Sequence, residues 1–258
     1  MSSPLHRLMS TASLISRIPV RLRAEPDFSG ADFWMPIVGL GAGACACGGA
    51  LLGSALFGPG MLAAIATMAA QYLPFNLFHL DGLLDTADAM GVPGDVERRR
   101  IVLKDPRIGS FALFAGFVAL SARLGALTAL LQRGGPLPWG ALLLAPVAGR
   151  FAALVVTGAS EPYTAGGLAS LLGKPSLVKA AIGYAIAAVP AAILSGIALG
   201  PLGSAAAILA GGLAALVSGL GVGRWYARHM GGYSGDALGA AVEADELLVL
   251  LAASIISH

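Results

Sequence analysis

The sequence predicts an all-α, polytopic integral membrane protein with six or seven transmembrane helices and an N-terminal interfacial helix. Of its 258 residues, 57% are hydrophobic and only 12% are charged, and the mean hydropathy is +0.80. Soluble globular proteins carry about a quarter charged residues. Long apolar runs with almost no charge are typical of transmembrane helices, so a soluble protein with unusually buried helices is the less favoured alternative.

Six apolar runs account for the predicted spans, since a helix needs about 20 residues to cross a bilayer. Glycine and proline residues at 58–60 and 200–201 separate neighbouring runs. The runs cover residues 33–57, 61–78, 110–131, 139–158, 177–199 and 202–222. A seventh run, 247–257, is short for a crossing. It either completes a helix that begins near Asp236 or lies partly in the interface.

The N-terminal segment has the pattern of an amphipathic helix. Leu5, Leu8, Met9, Ala12 and Ile15 recur at helical spacing, and the opposite face carries serine and arginine. This pattern favours a helix that lies in the membrane interface, although a plain cytoplasmic helix end fits it almost as well. The segment lacks the unbroken apolar core of a cleavable signal peptide.

The positive charges indicate an orientation. If the N-terminus is cytoplasmic, 13 of the 16 Lys and Arg residues fall on the cytoplasmic side: in the N-terminal segment, in the polar loops after the second, fourth and sixth runs, and at the start of the fifth run. Lys and Arg accumulate on the cytoplasmic side of membrane proteins. The three polar loops then share the cytoplasmic face, which favours a site facing the cytoplasm over a pathway through the membrane.

The stretch FHLDGLLDTADAMG, residues 78–91, places three carboxylates directly after an apolar run. Asp81, Asp85 and Asp88 share one helix face because they are spaced four and three residues apart. Their repulsion at a membrane boundary requires a cation. Mg²⁺ fits, because it binds a few carboxylates together with phosphate oxygens. The alternatives are a hydrated acidic helix end or pairing with the arginines at 98–100.

A second acidic group follows the loop GGYSGD, residues 231–236. Asp236, Glu243 and Glu246 share a broad helix face, and Asp245 points away from it. The alternative is that Ser234 or Asp236 only caps this helix and that the glutamates only meet the interface. Together with the first group, this cluster forms the second half of a candidate metal site.

Basic residues beside these acids indicate a phosphate-bearing ligand. Arg98, Lys104 and Arg107 follow the second run. Arginine binds phosphate through paired hydrogen bonds, and lysine acts as a point charge. For Arg99 and Arg100 we expect anchoring at lipid headgroups instead.

Two further arginines lie inside apolar runs. Arg150 requires a buried carboxylate or a phosphate-bearing ligand as its partner, and the same holds for Arg123 unless it pairs with a helix neighbour. Acids and bases at one membrane face together suggest metal-assisted transfer of a phosphorus-containing group. Hydrolysis of such a group would need the same residues, so transfer and hydrolysis are both open at this point.

Three stretches resemble the signatures of cobalamin synthase, also called adenosylcobinamide-GDP ribazoletransferase. They are FHLDGLLDTADAMG, LKDPRIGSF and GGYSGDALGAAVEADE. LISRIPV is similar to the family's N-terminus, and PYTAGGLAS occupies the place of its fourth loop. The resemblance extends over nearly the whole chain and implies one transmembrane catalytic domain, residues 1–258. It implies a multi-pass enzyme of the inner membrane, late in vitamin B12 synthesis. The distribution of Lys and Arg adds the expectation that its N-terminus and active site face the cytoplasm.

The resemblance also implies the reaction and its partners. A ribose hydroxyl of α-ribazole or its 5′-phosphate attacks the cobinamide-side phosphorus of adenosylcobinamide-GDP, GMP leaves, and Mg²⁺ is the cofactor. Membrane lipid is the other expected partner, nucleic acid is not, and a homo-oligomer stays open. The acid spacing is also similar to that of CDP-alcohol phosphotransferases. Leu83-Leu84 stand where those enzymes carry Ala-Arg, which disfavours membership of that family. The non-enzyme alternative is a small membrane transporter.

The residues that match the family's stretches, together with neighbouring basic residues, give the candidate site. The candidate catalytic residues are His79, Asp85 and Lys104. The candidate metal ligands are Asp81, Asp85, Asp88, Asp236 and Glu243. The candidate substrate-binding residues are Arg98, Asp105, Arg107, Arg150, Tyr163, Arg228, Gly232 and Gly235. For His79 three roles stay open: substrate contact, general base or a purely structural histidine.

Overall fold

A computed structural model describes residues 2–163 and 168–256, without the side chains of residues 168 and 169. Apart from one isolated bridge, the regular secondary structure of these residues is helical, which confirms the all-α prediction. The helices are α1 (Pro4–Ile15), α2 (Ala31–Phe57), α3 (Met61–Gln71), α4 (Leu77–Gly91), α5 (Val96–Val102), α6 (Ser110–Arg133), α7 (Leu137–Thr157), α8 (Leu177–Ala187), α9 (Val189–Leu199), α10 (Pro201–His229) and α11 (Gly235–Ile256). A π-helical turn, Tyr72–Asn76, joins α3 to α4, and a 3₁₀ turn, Leu168–Leu172, precedes α8.

Five helical segments in the described residues are long and apolar enough to cross a membrane: α2, the joined segment Met61–Gly91, α6, α7 and α10. A sixth forms if α8 and α9, which meet at a 49° bend, are one span. Pro190 lies in the first turn of α9, where its missing N–H interrupts the helical hydrogen bonds. The prediction of a multi-pass membrane protein is therefore confirmed.

The last apolar run of the sequence is the second half of α11. This helix is continuous over 22 residues, so it is about 33 Å long and begins beside Asp236. Of the two alternatives for the run, the structure therefore shows completion of a longer helix. The N-terminal helix is also present as α1, and its position in the membrane interface stays a prediction.

The spans pack around α7, whose side chains are nearly all buried against α2, α9, α10 and α11. Small residues permit this packing, because a Cβ on Gly39 of α2 would lie 2.6 Å from the carbonyl oxygen of Pro146 in α7. The outer helices expose large apolar side chains such as Phe114 and Leu209, which are 70% and 72% exposed. Such an apolar exterior is what a lipid-facing surface requires.

The π-helical turn attaches the N-terminal segment to the bundle. Pro74 lies inside this turn and has no N–H to donate, so the backbone widens locally instead of continuing as a regular α-helix. The carbonyl of Pro74 accepts a hydrogen bond from the backbone N–H of Arg17, at 2.7 Å. The end of α1 is thereby fixed near the start of α4, where the acidic stretch begins.

Candidate active site

The two acidic stretches of the sequence meet where α4 packs against the start of α11. A Cβ on Gly82 would lie 2.8 Å from the carbonyl oxygen of Asp236 and 2.9 Å from its Cα, so glycine is needed for this approach. One turn deeper, a Cβ on Gly239 would lie 3.0 Å from the Cα of His79. Two glycines, one on each helix, therefore bring the first and third signature stretches into contact.

Three carboxylates at this crossing form what we call the rim cluster: Asp81, Asp85 and Asp236. The negative charges of Asp81, Asp236 and Asp88 repel that of Asp85, and Asp81 also repels Asp236. None of the three forms an ion pair with another described residue. The alternative in which the acids pair with the arginines at 98–100 is therefore not what the structure shows.

Asp88 is bound by two backbone N–H groups of α6 and its preceding loop, which the sequence did not indicate. Its two carboxylate oxygens accept hydrogen bonds from the backbone N–H groups of Gly109, at 2.7 Å, and Ala112, at 2.9 Å. Asp88 therefore caps the N-terminus of α6, where backbone N–H groups lack helical partners and a negative charge is stabilising. This cap fixes the loop LKDPRIG against α4.

A cavity of about 230 Å³ adjoins the rim cluster, and we call it the rim cavity. Asp81, Asp236 and His79 are its polar lining residues, and Gly235 also lines it. The apolar lining residues are Leu14, Ile15, Met35, Phe78, Ala153, Leu172 and Leu238. The side chain of His79 is only 5% exposed, and its Nε2 has no hydrogen-bond partner among the described residues. A buried imidazole nitrogen without a partner is available to a ligand.

The loop before α11 is held by an internal hydrogen bond and by hydrogen bonds to the loop that follows α7. Ser234 donates its hydroxyl to Asp236 Oδ2 at 3.1 Å. The backbone N–H of Tyr163 donates to the carbonyl of Tyr233 at 3.1 Å, and a Cβ on Gly232 would lie 2.9 Å from that N–H. Burial and, to a smaller degree, the charge of Asp236 raise the pKa of Tyr163. The structure thus brings Tyr163, Gly232 and Asp236 together, while the rest of the predicted fourth loop, residues 164–167, lies outside the described residues.

Arg100 also supports this loop, although the sequence indicated only a lipid anchor. Its Nε and Nη2 atoms donate to the carbonyl of Met230, at 3.1 and 2.6 Å. Its guanidinium carbon lies 4.7 Å from the centre of the Tyr163 ring, a cation–π contact. The structure therefore gives Arg100 a role in supporting this loop, and its anchoring at lipid headgroups stays a prediction.

The basic loop after α5 borders a second cavity, of about 420 Å³, lined by Asp88, Asp105, Arg107 and Gly109 among others. Arg107 donates to both carboxylate oxygens of Asp105, at 2.9 and 2.6 Å, and these hydrogen bonds lower the pKa of Asp105 to about 2. The guanidinium of Arg107 is nevertheless 86% exposed. The remaining predicted basic contacts, Lys104, Arg98 and Arg228, are exposed.

A second set of charged residues, which we call the buried network, lies deeper between the spans. Its charged members are Arg123, Arg150, Glu243 and Glu246, all at most 3% exposed. Arg123 donates to Glu246 at 2.9 Å and to Glu243 at 3.2 Å. Arg150 pairs with Glu246 and donates to the side-chain oxygen of Asn76 at 2.8 Å.

Uncharged side chains from α3 and the π-helical turn complete the buried network. Gln71 donates to Glu246 at 2.6 Å, and Asn76 donates to Glu243 at 2.8 Å. The hydroxyl of Tyr72 donates to Glu243 at 2.5 Å. Each carboxylate of the network thus accepts from an arginine and from neutral donors, as buried charges require.

The buried network decides the partner of Arg150 that the sequence left open. Its partner is a carboxylate, Glu246, so this arginine is engaged inside the protein. Glu243 was predicted as a metal ligand, but it lies seven residues beyond Asp236, about 10 Å further along α11. We therefore assign Arg150 and Glu243 to the buried network rather than to the rim cluster.

The rim cluster has the donor chemistry of a magnesium site. Among the described residues, no three His, Cys, Asp or Glu side chains converge closely enough to hold a metal by themselves. Mg²⁺ does not require such a cage, because it is usually bound by one or two carboxylates together with waters and substrate phosphates. Asp81 and Asp236 are two carboxylates beside a cavity that form no ion pair with another described residue, so the residues present fit this ion.

Comparison with known proteins identifies the family. A family profile described as cobalamin-5-phosphate synthase matches residues 7–254. The chain belongs to this family. The predictions of family and transferase activity are thus confirmed, and the alternatives of a CDP-alcohol phosphotransferase and a transporter are set aside.

Curated relatives agree with this assignment. The adenosylcobinamide-GDP ribazoletransferase of Syntrophobacter fumaroxidans is 37% identical over 86% of this chain and 85% of its own length. The enzyme of the same name from Pseudomonas paraeruginosa is 35% identical over 99% of this chain and 100% of its own length. That from Halorubrum lacusprofundi is 35% identical over 97% of both chains. No solved structure matches the chain.

Proposed function

We propose that this cobalamin-synthase-family transferase joins adenosylcobinamide phosphate, taken from adenosylcobinamide-GDP, to α-ribazole or its 5′-phosphate at the rim cluster. The observation that supports this site is the contact of Gly82 with Asp236, which places two signature stretches around one cavity. The rim cluster would hold Mg²⁺ through Asp81 and Asp236. When bound, this ion neutralises charge on the pyrophosphate and stabilises the leaving phosphate.

The reaction needs one bond formed and one broken. The ribose hydroxyl oxygen of the ribazole forms a bond to the cobinamide-side phosphorus, and the P–O bond to GMP breaks. We assign Asp85 as the general base that accepts the proton of this hydroxyl. Its carboxylate is repelled by the like charges of Asp81, Asp88 and Asp236, which favours taking up a proton. Arg107 and Lys104 would contact the GMP phosphate as it leaves, since the loop that carries them is fixed to α4 by Asp88.

The assay that tests this function follows GMP release by the purified protein supplied with adenosylcobinamide-GDP, α-ribazole and Mg²⁺. We expect turnover by the wild type and none without Mg²⁺. Asp85→Asn should lower kcat at least a hundredfold, because it removes the proton acceptor. Asp245→Asn is the matched control, since Asp245 lies on the other face of α11, and it should keep wild-type kcat. Full turnover by Asp85→Asn would contradict the assigned role.

We also propose that the rim cluster faces the cytoplasm from the inner membrane. The basic residues of the N-terminal segment, α5 and the end of α10 support this orientation. In a chain without Cys45 and Cys47, a cysteine at position 81 should react with a membrane-impermeant maleimide from the cytoplasmic side only. A cysteine in place of exposed Gly134, which follows the end of α6 that lies away from the Asp88 cap, should react from the periplasmic side only. The reverse pattern would refute the orientation.

A further inference from the structure

The rim cavity has the size and lining of a site for an aromatic ring system. Its volume of about 230 Å³ exceeds that of an engineered apolar cavity of about 150 Å³ that binds benzene. Leu14, Ile15, Met35 and Leu238 supply apolar walls, and the carboxylates of Asp81 and Asp236 also line the cavity. A ligand that fits therefore has an apolar ring at one end and a group that reacts beside Asp81 at the other.

His79 contributes the one polar side chain in the cavity that is both buried and unpartnered among the described residues. It is only 5% exposed, and its Nε2 lacks a hydrogen-bond partner. Leaving such a nitrogen without a partner costs free energy, so a ligand with a matching polar atom is favoured. The expected ligand has an apolar ring with one hydrogen-bonding atom.

The three organic groups of the proposed reaction differ in how well they meet these requirements. The corrinoid is a macrocycle with many amide groups and is far too large for the cavity. Guanine carries several hydrogen-bonding groups on its edges, including N7, O6 and N2, which apolar walls would leave unpaired. The benzimidazole of α-ribazole is a fused apolar bicycle with one unsubstituted ring nitrogen.

We infer that the rim cavity binds the aromatic base of the ribazole acceptor, with His79 Nε2–H donating to the unsubstituted ring nitrogen of that base. This inference rests on the proposed function. It makes His79 the residue that recognises the acceptor, and it makes the wall of α1 a determinant of which base is accepted. The ribose then extends from the cavity toward the rim cluster, where its hydroxyl reacts.

The hydrogen bond is tested with two acceptors that differ by one atom. Wild-type protein is assayed with α-ribazole and with an analogue in which a C–H replaces the unsubstituted nitrogen. We expect the KM of the analogue to be about threefold to tenfold higher, as for loss of one hydrogen bond. In His79→Ala this difference should vanish, while the KM of adenosylcobinamide-GDP stays within twofold of wild type. A difference that persists in His79→Ala would overturn the inference.

The cavity wall is tested by filling it from α1. Leu14→Trp should raise the KM of α-ribazole about tenfold or more and favour a smaller acceptor, imidazole riboside, in the ratio of kcat/KM values. Leu5→Trp is the control, because Leu5 lies on the same helix, is 64% exposed and does not line the cavity. Leu238→Phe, which fills the cavity from α11 instead of α1, should shift the preference in the same direction and serves if Leu14→Trp fails to fold.

The outcomes separate this inference from the proposed function. No GMP release by the wild type would refute the function and the inference together. Turnover by the wild type with unchanged acceptor preference in both wall variants would refute the inference alone. A rise in the KM of adenosylcobinamide-GDP instead of the acceptor would show that the donor occupies the cavity, and it would also overturn the inference.

Discussion

The rim cluster and the buried network both take carboxylates from α11, yet the surroundings of those carboxylates differ. In the buried network, Glu243 and Glu246 accept from arginines and from neutral donors. In the rim cluster, Asp81, Asp85 and Asp236 have no ion-pair partner among the described residues, and their charges oppose one another. Within a few turns of α11, the carboxylates change from ones whose charge is neutralised by arginines of the protein to ones that are available to bind a ligand.

This difference separates stability from activity along the helices. The buried network fixes the spans by satisfying charges that lipid cannot solvate. The rim cluster carries repulsion that binding of a cation would relieve. We therefore expect substitutions in the buried network to affect folding first, and substitutions in the rim cluster to affect turnover first.

The largest effect is expected for Glu246→Leu. This change leaves Arg123 and Arg150 buried without their shared carboxylate, and breaking a buried pair in this way costs about 3–5 kcal/mol. The variant should unfold at a much lower temperature in detergent, or fail to purify as a monodisperse species. Asp236→Asn, ten residues earlier on the same helix, should leave the melting temperature unchanged within a few degrees. Equal melting temperatures for both variants would erase the distinction between the two regions.

A large effect on turnover is expected for Gly82→Ala. The new Cβ would lie 2.8 Å from the backbone oxygen of Asp236, so α4 and α11 must separate and the rim cluster must open. A displacement of about 1 Å at a catalytic site costs about a hundredfold in rate. Gly125→Ala on α6 is the matched control, because its new Cβ would meet no atom within 4 Å apart from the adjacent backbone of its own helix. It should be fully active, and equal kcat values in the two variants would contradict the proposed contact.

The sequence predicted the membrane fold and the rim cluster because both depend on local patterns. Apolar runs show the spans, and a spacing of four and three residues puts Asp81, Asp85 and Asp88 on one face. Pairing the two acidic groups as halves of one metal site joined the first stretch to Asp236, and the resemblance to a family then supported that pairing. These predictions need no knowledge of which helices are neighbours, apart from what the resemblance supplied.

The buried network and the loop supports could not be predicted in the same way. Arg123 and Glu246 are 123 residues apart, and nothing near either residue specifies the other. The roles of Tyr72 and Asn76 depend on a π-helical turn whose only local signal is Pro74. Asp88 resembled the other aspartates of its face, and only the position of α6 shows that it caps a helix.

The smallest of the expected effects concerns Arg100, which separates a loop support from a lipid anchor. Arg100→Lys keeps the charge but loses the paired hydrogen bonds to Met230, so the loop that leads to Asp236 should loosen. With about 1 kcal/mol lost, kcat/KM for GMP release should fall about fivefold. Arg99→Lys makes the same change one residue earlier, where no hydrogen bond to Met230 and no contact with Tyr163 is present, so it should leave kcat/KM unchanged. If Arg100 served only to hold lipid headgroups, the two variants would be indistinguishable, and the rim cluster would not depend on α5 for its shape.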